Sequence, residues 1–110
     1  MKGIVNIGGV AVEMTANAAS TFIYGKIFHE DFEQVAPQGN TDTWKKMMFV
    51  MAAQSETDEM ELYKGKVTET DFLKWISKFE YMDILDAVDE ASNLFVAQKK
   101  TKSRPKAKAE

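Results

Sequence analysis

The stretch Thr43–Gln54, TWKKMMFVMAAQ, decides how the rest of this 110-residue chain must pack. Eight of its twelve residues are apolar, and they include three methionines and a phenylalanine. On a helix, residues at i, i+3, i+4, i+7 and i+8 share one face. That stripe consists of Trp44, Met47, Met48, Met51, Ala52 and Ser55. A helix at the edge of a small core needs only one apolar face, so this segment carries apolar side chains in surplus.

These additional apolar side chains have two interpretations. A helix that is hydrophobic nearly all round is most often simply buried. Methionine, however, is flexible and polarizable, and it is over-used on grooves that accept varied apolar partners. In that second interpretation the partner-binding side chains, here called the surplus face, are Met48, Phe49, Val50 and Ala53. The sequence leaves both interpretations open.

Length and composition favour one folded domain. Apolar residues make up 45% of the chain and aromatic residues 11%, which excludes disorder over most of its length. The absence of cysteine excludes disulfides, thiolate nucleophiles and cysteine-ligated metals. The first fourteen residues make a poor signal peptide, and no apolar run approaches the roughly 18 residues of a membrane span. We therefore expect a soluble, cytosolic protein with no membrane partner.

Charge is distributed unevenly along the chain. Residues 99–110 carry six basic side chains and one acidic one, whereas the rest of the chain carries eight basic and sixteen acidic ones. The segment contains Pro105 and no large apolar residue, which predicts a disordered basic tail. No aromatic residue is interleaved with the lysines for base stacking, so nucleic acid is an unlikely partner.

The pattern along the chain predicts an α+β fold that is mostly α. Two β-branched runs separated by Gly8-Gly9 indicate a β-hairpin, followed by four to five helices. The expected elements of a single domain over residues 1–98 are a hairpin at 3–14 and helices at about 16–28, 42–55, 69–80 and 83–98.

Three local patterns refine the helices. In the first helix, which Thr15 or Asn17 can cap, the expected core face is Ala19, Phe22, Ile23 and Ile27. Thr68 with Asp71 resembles a capping box that starts a helix with Phe72, Trp75, Ile76 and Phe79 on one stripe. In the last helix the expected core positions are Ile84, Leu85, Val88, Ala91, Leu94 and Phe95, with Asp86, Asp89 and Glu90 facing water.

Little in the sequence points to catalysis. His29 is the only histidine, so a multi-histidine metal site cannot form within one chain. The acidic run around Glu56–Glu61 has no EF-hand spacing, and Gly8-Gly9 is explained by the turn. We expect no catalytic, cofactor-binding or metal-binding residues, and therefore a binding protein rather than an enzyme.

The order of elements resembles a known family. A hairpin is followed by TANAASTFIYGKIFHEDF, by a Trp-started helix ending in MAAQSE, and by TETDFLKWISKFEYMDILDAVDEASNLF. This arrangement resembles the tail assembly chaperones of long-tailed bacteriophages and prophages over about residues 3–100. The likeness lies in Tyr24–Phe28 with Asp31 shortly after, and in Phe72–Ile76 followed by an amphipathic helix and a lysine-rich end.

The resemblance implies a nonenzymatic assembly factor without cofactors. Such proteins are thought to coat the tape measure protein, to keep its apolar helices soluble and to recruit tail tube subunits. It also implies a location in the host bacterial cytoplasm and absence from the mature virion. The partner of the surplus face would then be the tape measure protein. Many weak copies along one client would bind by avidity.

The resemblance bears on the tail as well. Many family members are made in two lengths through a −1 ribosomal slip near the end of the short form. Lys99-Lys100 can be encoded by an A-rich run, which makes it the expected frameshift position. The longer product would be the form that recruits the tail tube protein.

Two other classes of function remain open. A virion structural component, such as a connector or tube subunit, would be retained in mature particles. A small regulator that uses the basic tail on DNA would bind in a salt-sensitive way. Self-association through the hairpin edge or a second apolar face would produce a homo-oligomer.

Overall fold

A computed structural model describes the backbone of residues 1–108 and the side chains of residues 1–97. An antiparallel hairpin is followed by six α-helices, which confirms the α+β, mostly helical fold. The strands are β1 (Lys2–Ile7) and β2 (Val10–Thr15). The helices are α1 (Ala19–Phe28), α2 (Phe32–Val35), α3 (Thr41–Glu56), α4 (Glu59–Tyr63), α5 (Glu69–Ile76) and α6 (Tyr81–Lys108). A 3₁₀ turn at Ala36–Gln38 precedes α3.

The hairpin is set by its two-residue turn. Ile7 pairs with Val10 across Gly8-Gly9, and both glycines have positive φ, as the expected turn type requires. Strand β1 lies along α6, where the Asn6 backbone N–H donates to the Glu90 carboxylate at 3.2 Å. A β-carbon on Gly8 would lie 2.4 Å from the Asp83 carboxylate, so the turn fits closely against the start of α6. The two-stranded sheet is thereby supported by helices.

Helix α3 is the centre of the domain. It packs against β2, α1, α4, α5 and α6, so it has neighbours on nearly every side. Eight consecutive residues, Met47 to Gln54, are buried. Asn40 caps its first turn by accepting a hydrogen bond from the Asp42 N–H at 2.8 Å. The structure therefore favours the first of the two interpretations, a helix buried all round.

The last helix begins and ends differently from the expectation. Its backbone runs from Tyr81 to Lys108, whereas the sequence predicted an end near residue 98. Lysine and alanine have high helix propensity, which is consistent with this continuation of the helical backbone. The predicted disordered tail, 99–110, falls where the side chains, and for 109–110 also the backbone, lie outside the described residues. Of the expected core positions, Ile84, Ala91 and Phe95 are buried, and Leu85, Val88 and Leu94 are half-buried.

The first helix turns most of its predicted core face inward, since Ile23 and Ile27 are buried and Ala19 packs against the core. Its buried residues follow 3–4 spacing and are Ser20, Ile23, Tyr24, Ile27 and Phe28. Phe22, predicted to be in the core, is 70% exposed, which corrects that prediction. The sequence pattern misled because the true stripe begins with the polar Ser20, whose hydroxyl donates to Gln54 Oε1 at 2.6 Å.

Candidate interaction surface

The surplus face is part of the interior. Met48 and Val50 are fully buried, and Phe49 and Ala53 are 5% and 8% exposed. Phe49 is covered by α5, with ring centroids 5.6 Å from Phe72 and 5.8 Å from Trp75. These four side chains cannot contact a partner in this conformation, so their assignment as a partner-binding face on the free protein is wrong. The physical reason is that five neighbouring elements, rather than one or two, cover α3.

Large apolar side chains are exposed elsewhere, and three of them lie on α1 and α4. Phe22 is 70%, Met60 61% and Tyr63 49% exposed. Lys26 follows Phe22 by one helical turn, and its ammonium lies 5.2 Å from the centroid of the Tyr63 ring. Met60 precedes Tyr63 by one turn of α4. We call these four residues the α1–α4 patch.

Helix α4 is held beside α1 by a polar cluster. The Gln54 amide donates to Asn17 Oδ1 at 3.1 Å and to the Glu59 carboxylate at 2.9 Å. The Asn17 amide also donates to Glu59 at 2.7 Å. Because Glu59 begins α4 and Asn17 precedes α1, this cluster fixes the two helices that carry the α1–α4 patch. The sequence analysis predicted neither the cluster nor the patch. A core face of α1 drawn through Ser20 and Tyr24 would have placed Phe22 on the solvent side.

A second exposed region borders α3. A cleft of about 520 Å³ is lined by Glu30, Lys45 and Lys46, among others, and by Phe72 and Ile76 of α5. A smaller cleft of about 340 Å³ is more apolar and is lined by Phe32, Glu33, Ala36, Pro37, Trp44, Phe95 and Val96.

The one ionisable group in the wall of the larger cleft with a clear shift is Glu30. The buried Tyr24 hydroxyl donates to the Glu30 carboxylate, and Lys46 Nζ lies 3.3 Å from the same oxygen. The hydrogen bond from Tyr24, followed by Lys46, lowers the pKa of Glu30. Burial, followed by the neighbouring Glu30, raises the pKa of Tyr24 well above its ordinary 10.0. The carboxylate thus gives the buried Tyr24 hydroxyl its hydrogen-bond partner.

The pairing predicts how stability depends on pH. A lowered carboxyl pKa stabilises the fold above its ordinary value of 4.5, and this contribution is lost as pH falls through the folded-state value. A raised tyrosine pKa acts in the opposite direction, so its contribution is lost as pH rises beyond about 10. We expect Tyr24→Phe to cost about 1.5–3 kcal/mol at neutral pH, the value of a hydrogen bond to a charged group.

The measurement is urea unfolding of wild type and Tyr24→Phe across the pH range. The difference between the two proteins should shrink below about pH 4.5 and above about pH 10. A difference that stays constant from acid to alkaline pH would show that the phenol does not interact with the carboxylate. Glu33→Gln, on an exposed carboxylate outside this pair, is the matched control.

The other predictions concern the single histidine, metal sites, membrane-spanning helices and the expected frameshift position. His29 is exposed and ends α1 with φ 59°, a left-handed C-cap. Within the described part of the chain, no three histidine and carboxylate side chains are grouped so as to hold a metal ion. No helix among the described residues has the length and hydropathy needed to cross a membrane. The side chains of Lys99 and Lys100, the expected frameshift position, lie outside the described residues.

Comparison with protein-family models, with curated proteins and with solved structures found no match to this chain. The exposed surfaces described above and the resemblance in the sequence are therefore the basis for a functional proposal.

Proposed function

We propose that this chain is a phage tail assembly chaperone that binds the tape measure protein and helps to recruit tail tube subunits. The observation that carries the proposal is the α1–α4 patch, in which Phe22, Met60 and Tyr63 are each about half exposed or more. Exposed apolar side chains grouped on two neighbouring helices favour an interaction with another protein. The family resemblance supplies the identity of the client.

The chemistry of the patch suits a helical client. A tape measure helix would present an apolar stripe, and Phe22 and Met60 would pack against it. Lys26 lies over the Tyr63 ring, and its ammonium can pair with a carboxylate beside that stripe. Each such contact is small, so many copies along one long client would bind by avidity.

The test is co-purification of the tape measure protein with a Phe22→Asp variant. Because Phe22 is already 70% exposed, a charge there should leave the circular dichroism spectrum and the melting temperature close to wild type. Loss of one central aromatic contact should lower the yield of client at least tenfold, which corresponds to about 1.4 kcal/mol per site before avidity amplifies it.

The matched control is Ile4→Asp, which introduces the same charge at a side chain that is 56% exposed on β1, outside the patch. We expect this variant to retain the client. Retention by both variants would contradict the use of the α1–α4 patch. Mass spectrometry of purified virions gives a second readout, because a chaperone should be absent from mature particles.

Self-association is part of the proposal, through the outer edge of β2. Since Ile7 and Val10 flank a two-residue turn, they form the hydrogen-bonded pair, and Ala11 and Glu13 direct their backbone N–H groups outward. Neither N–H has a hydrogen-bond partner among the described residues. Size-exclusion chromatography with light scattering measures whether a second copy occupies this edge.

The longer product is also a proposal, placed at Lys99-Lys100. Its test is to read the gene for a slippery heptamer at these codons with an overlapping downstream frame. If these codons contain no such run, the frameshift at this position is excluded, and recruitment of the tube protein needs another explanation.

A further inference from the structure

Helix α5 is the most loosely held helix of the domain. None of its residues, Glu69–Ile76, is fully buried, and Leu73 on its outer side is 62% exposed. Phe72, Trp75 and Ile76 are only half-buried, although they form its apolar stripe. By contrast, α3 beneath it has a continuous buried run.

The attachment of α5 to the body is apolar, and aromatic contacts make up most of it. Phe72 packs on Phe28 and Phe49 with centroid distances of 5.3 Å and 5.6 Å, and Trp75 packs on Phe49. Among the described residues, no hydrogen bond or ion pair joins α5 to another element. Its polar bonds are local, because the Thr68 N–H donates to Asp71 at 2.8 Å and the Ser77 hydroxyl donates to the Lys74 carbonyl.

Short segments outside helices and strands flank α5 at both ends. Residues 64–68, with Gly65 at φ +100°, separate it from α4, and residues 77–80 separate it from α6. An isolated eight-residue helix is not stable in water, so α5 released from the body would lose its helical structure. Its release would expose Phe28 and Phe49, which are otherwise 6% and 5% exposed.

We infer that α5 is a displaceable helix, and that it occupies a docking groove on α1 and α3 for an amphipathic helix of a partner protein. Because α5 fills this groove, its own side chains indicate which side chains a partner helix would need. A competing helix needs aromatic or large aliphatic residues at the i, i+3, i+4 and i+7 positions, as α5 and the residues after it have in Phe72, Trp75, Ile76 and Phe79. The surplus face would then become accessible through Phe49.

The inference rests on the proposed function in one respect: a tape measure helix would be the partner that replaces α5 in the groove. The groove itself is tested without that protein. The first experiment is hydrogen exchange, read by mass spectrometry, on the full free chain. We expect amides of residues 70–76 to exchange at least 100-fold faster than those of residues 47–54, through a local opening. Equal exchange of the two segments would overturn the inference.

The second experiment uses a fluorescein-labelled peptide with the sequence of residues 68–80, TETDFLKWISKFE, added to the full chain. Fluorescence anisotropy should show saturable binding that is lost when aspartate replaces the peptide's counterparts of Phe72 and Trp75. In the chain, Phe72→Ala should tighten peptide binding about tenfold, because the competing internal helix is weakened. Leu73→Ala, on the exposed side of the same helix, should leave the affinity unchanged.

Absence of saturable binding, or equal affinity for Phe72→Ala and Leu73→Ala, would contradict the displaceable helix. These outcomes are independent of the tape measure protein. Peptide binding without client co-purification would therefore reject the proposed function and keep the groove. Client co-purification without peptide binding would reject the groove and keep the function.

Discussion

Replacing Phe49 by aspartate is expected to unfold the protein. The side chain is 5% exposed and contacts Phe72 and Trp75, so the substitution removes a core aromatic and introduces a buried charge. Loss of a buried phenylalanine alone costs about 3–5 kcal/mol, and an unpaired buried carboxylate adds to that cost. The sum approaches the whole stability of a small domain, about 5–15 kcal/mol.

Circular dichroism and thermal melting measure this effect. Phe49→Asp should lack a cooperative transition, whereas the matched Phe49→Leu should remain folded with a loss of about 1–1.5 kcal/mol. If Phe49→Asp melted like wild type, Phe49 would have to lie at the surface, and α5 could not be packed on it. The variant therefore tests the correction made to the surplus face.

Replacing Gln54 by alanine is expected to have the next largest effect. The Gln54 amide accepts from the Ser20 hydroxyl and donates to Asn17 and Glu59, and both Ser20 and Gln54 are buried. Its removal leaves polar groups without their partners, at about 1–3 kcal/mol for each fully buried group. We expect a total loss near 3 kcal/mol and a melting temperature lower by more than about 10 °C.

Gln38→Ala is the matched control for Gln54→Ala. Gln38 is exposed and makes one hydrogen bond, to the Gln34 carbonyl at 3.3 Å, so its loss should change stability by less than about 0.5 kcal/mol. Equal melting temperatures for the two variants would mean that water replaces the lost partners in the cluster. Since this cluster fixes α4 beside α1, Gln54→Ala should also weaken client binding through the α1–α4 patch.

The features that could be predicted from the sequence are those with local causes. The Gly8-Gly9 turn fixed the hairpin and its register, because two residues of positive φ suit a two-residue turn. Thr68 and Asp71 fixed the start of α5 through a capping box. The acidic positions Asp86, Asp89 and Glu90 are exposed, as the spacing of α6 predicted.

Which apolar side chains are covered depends on the packing of elements that are distant in sequence. Phe49 and Phe22 are both phenylalanines on helices, yet one is in the core and the other is 70% exposed. Burial depends on how many elements surround a helix, and the sequence pattern does not give that number. Helix α3 is enclosed by five neighbours, whereas α1 packs mainly on α2, α3 and α4. The sequence therefore placed a partner surface on side chains that are buried in the core, because helical periodicity identifies an apolar face without identifying what packs on it.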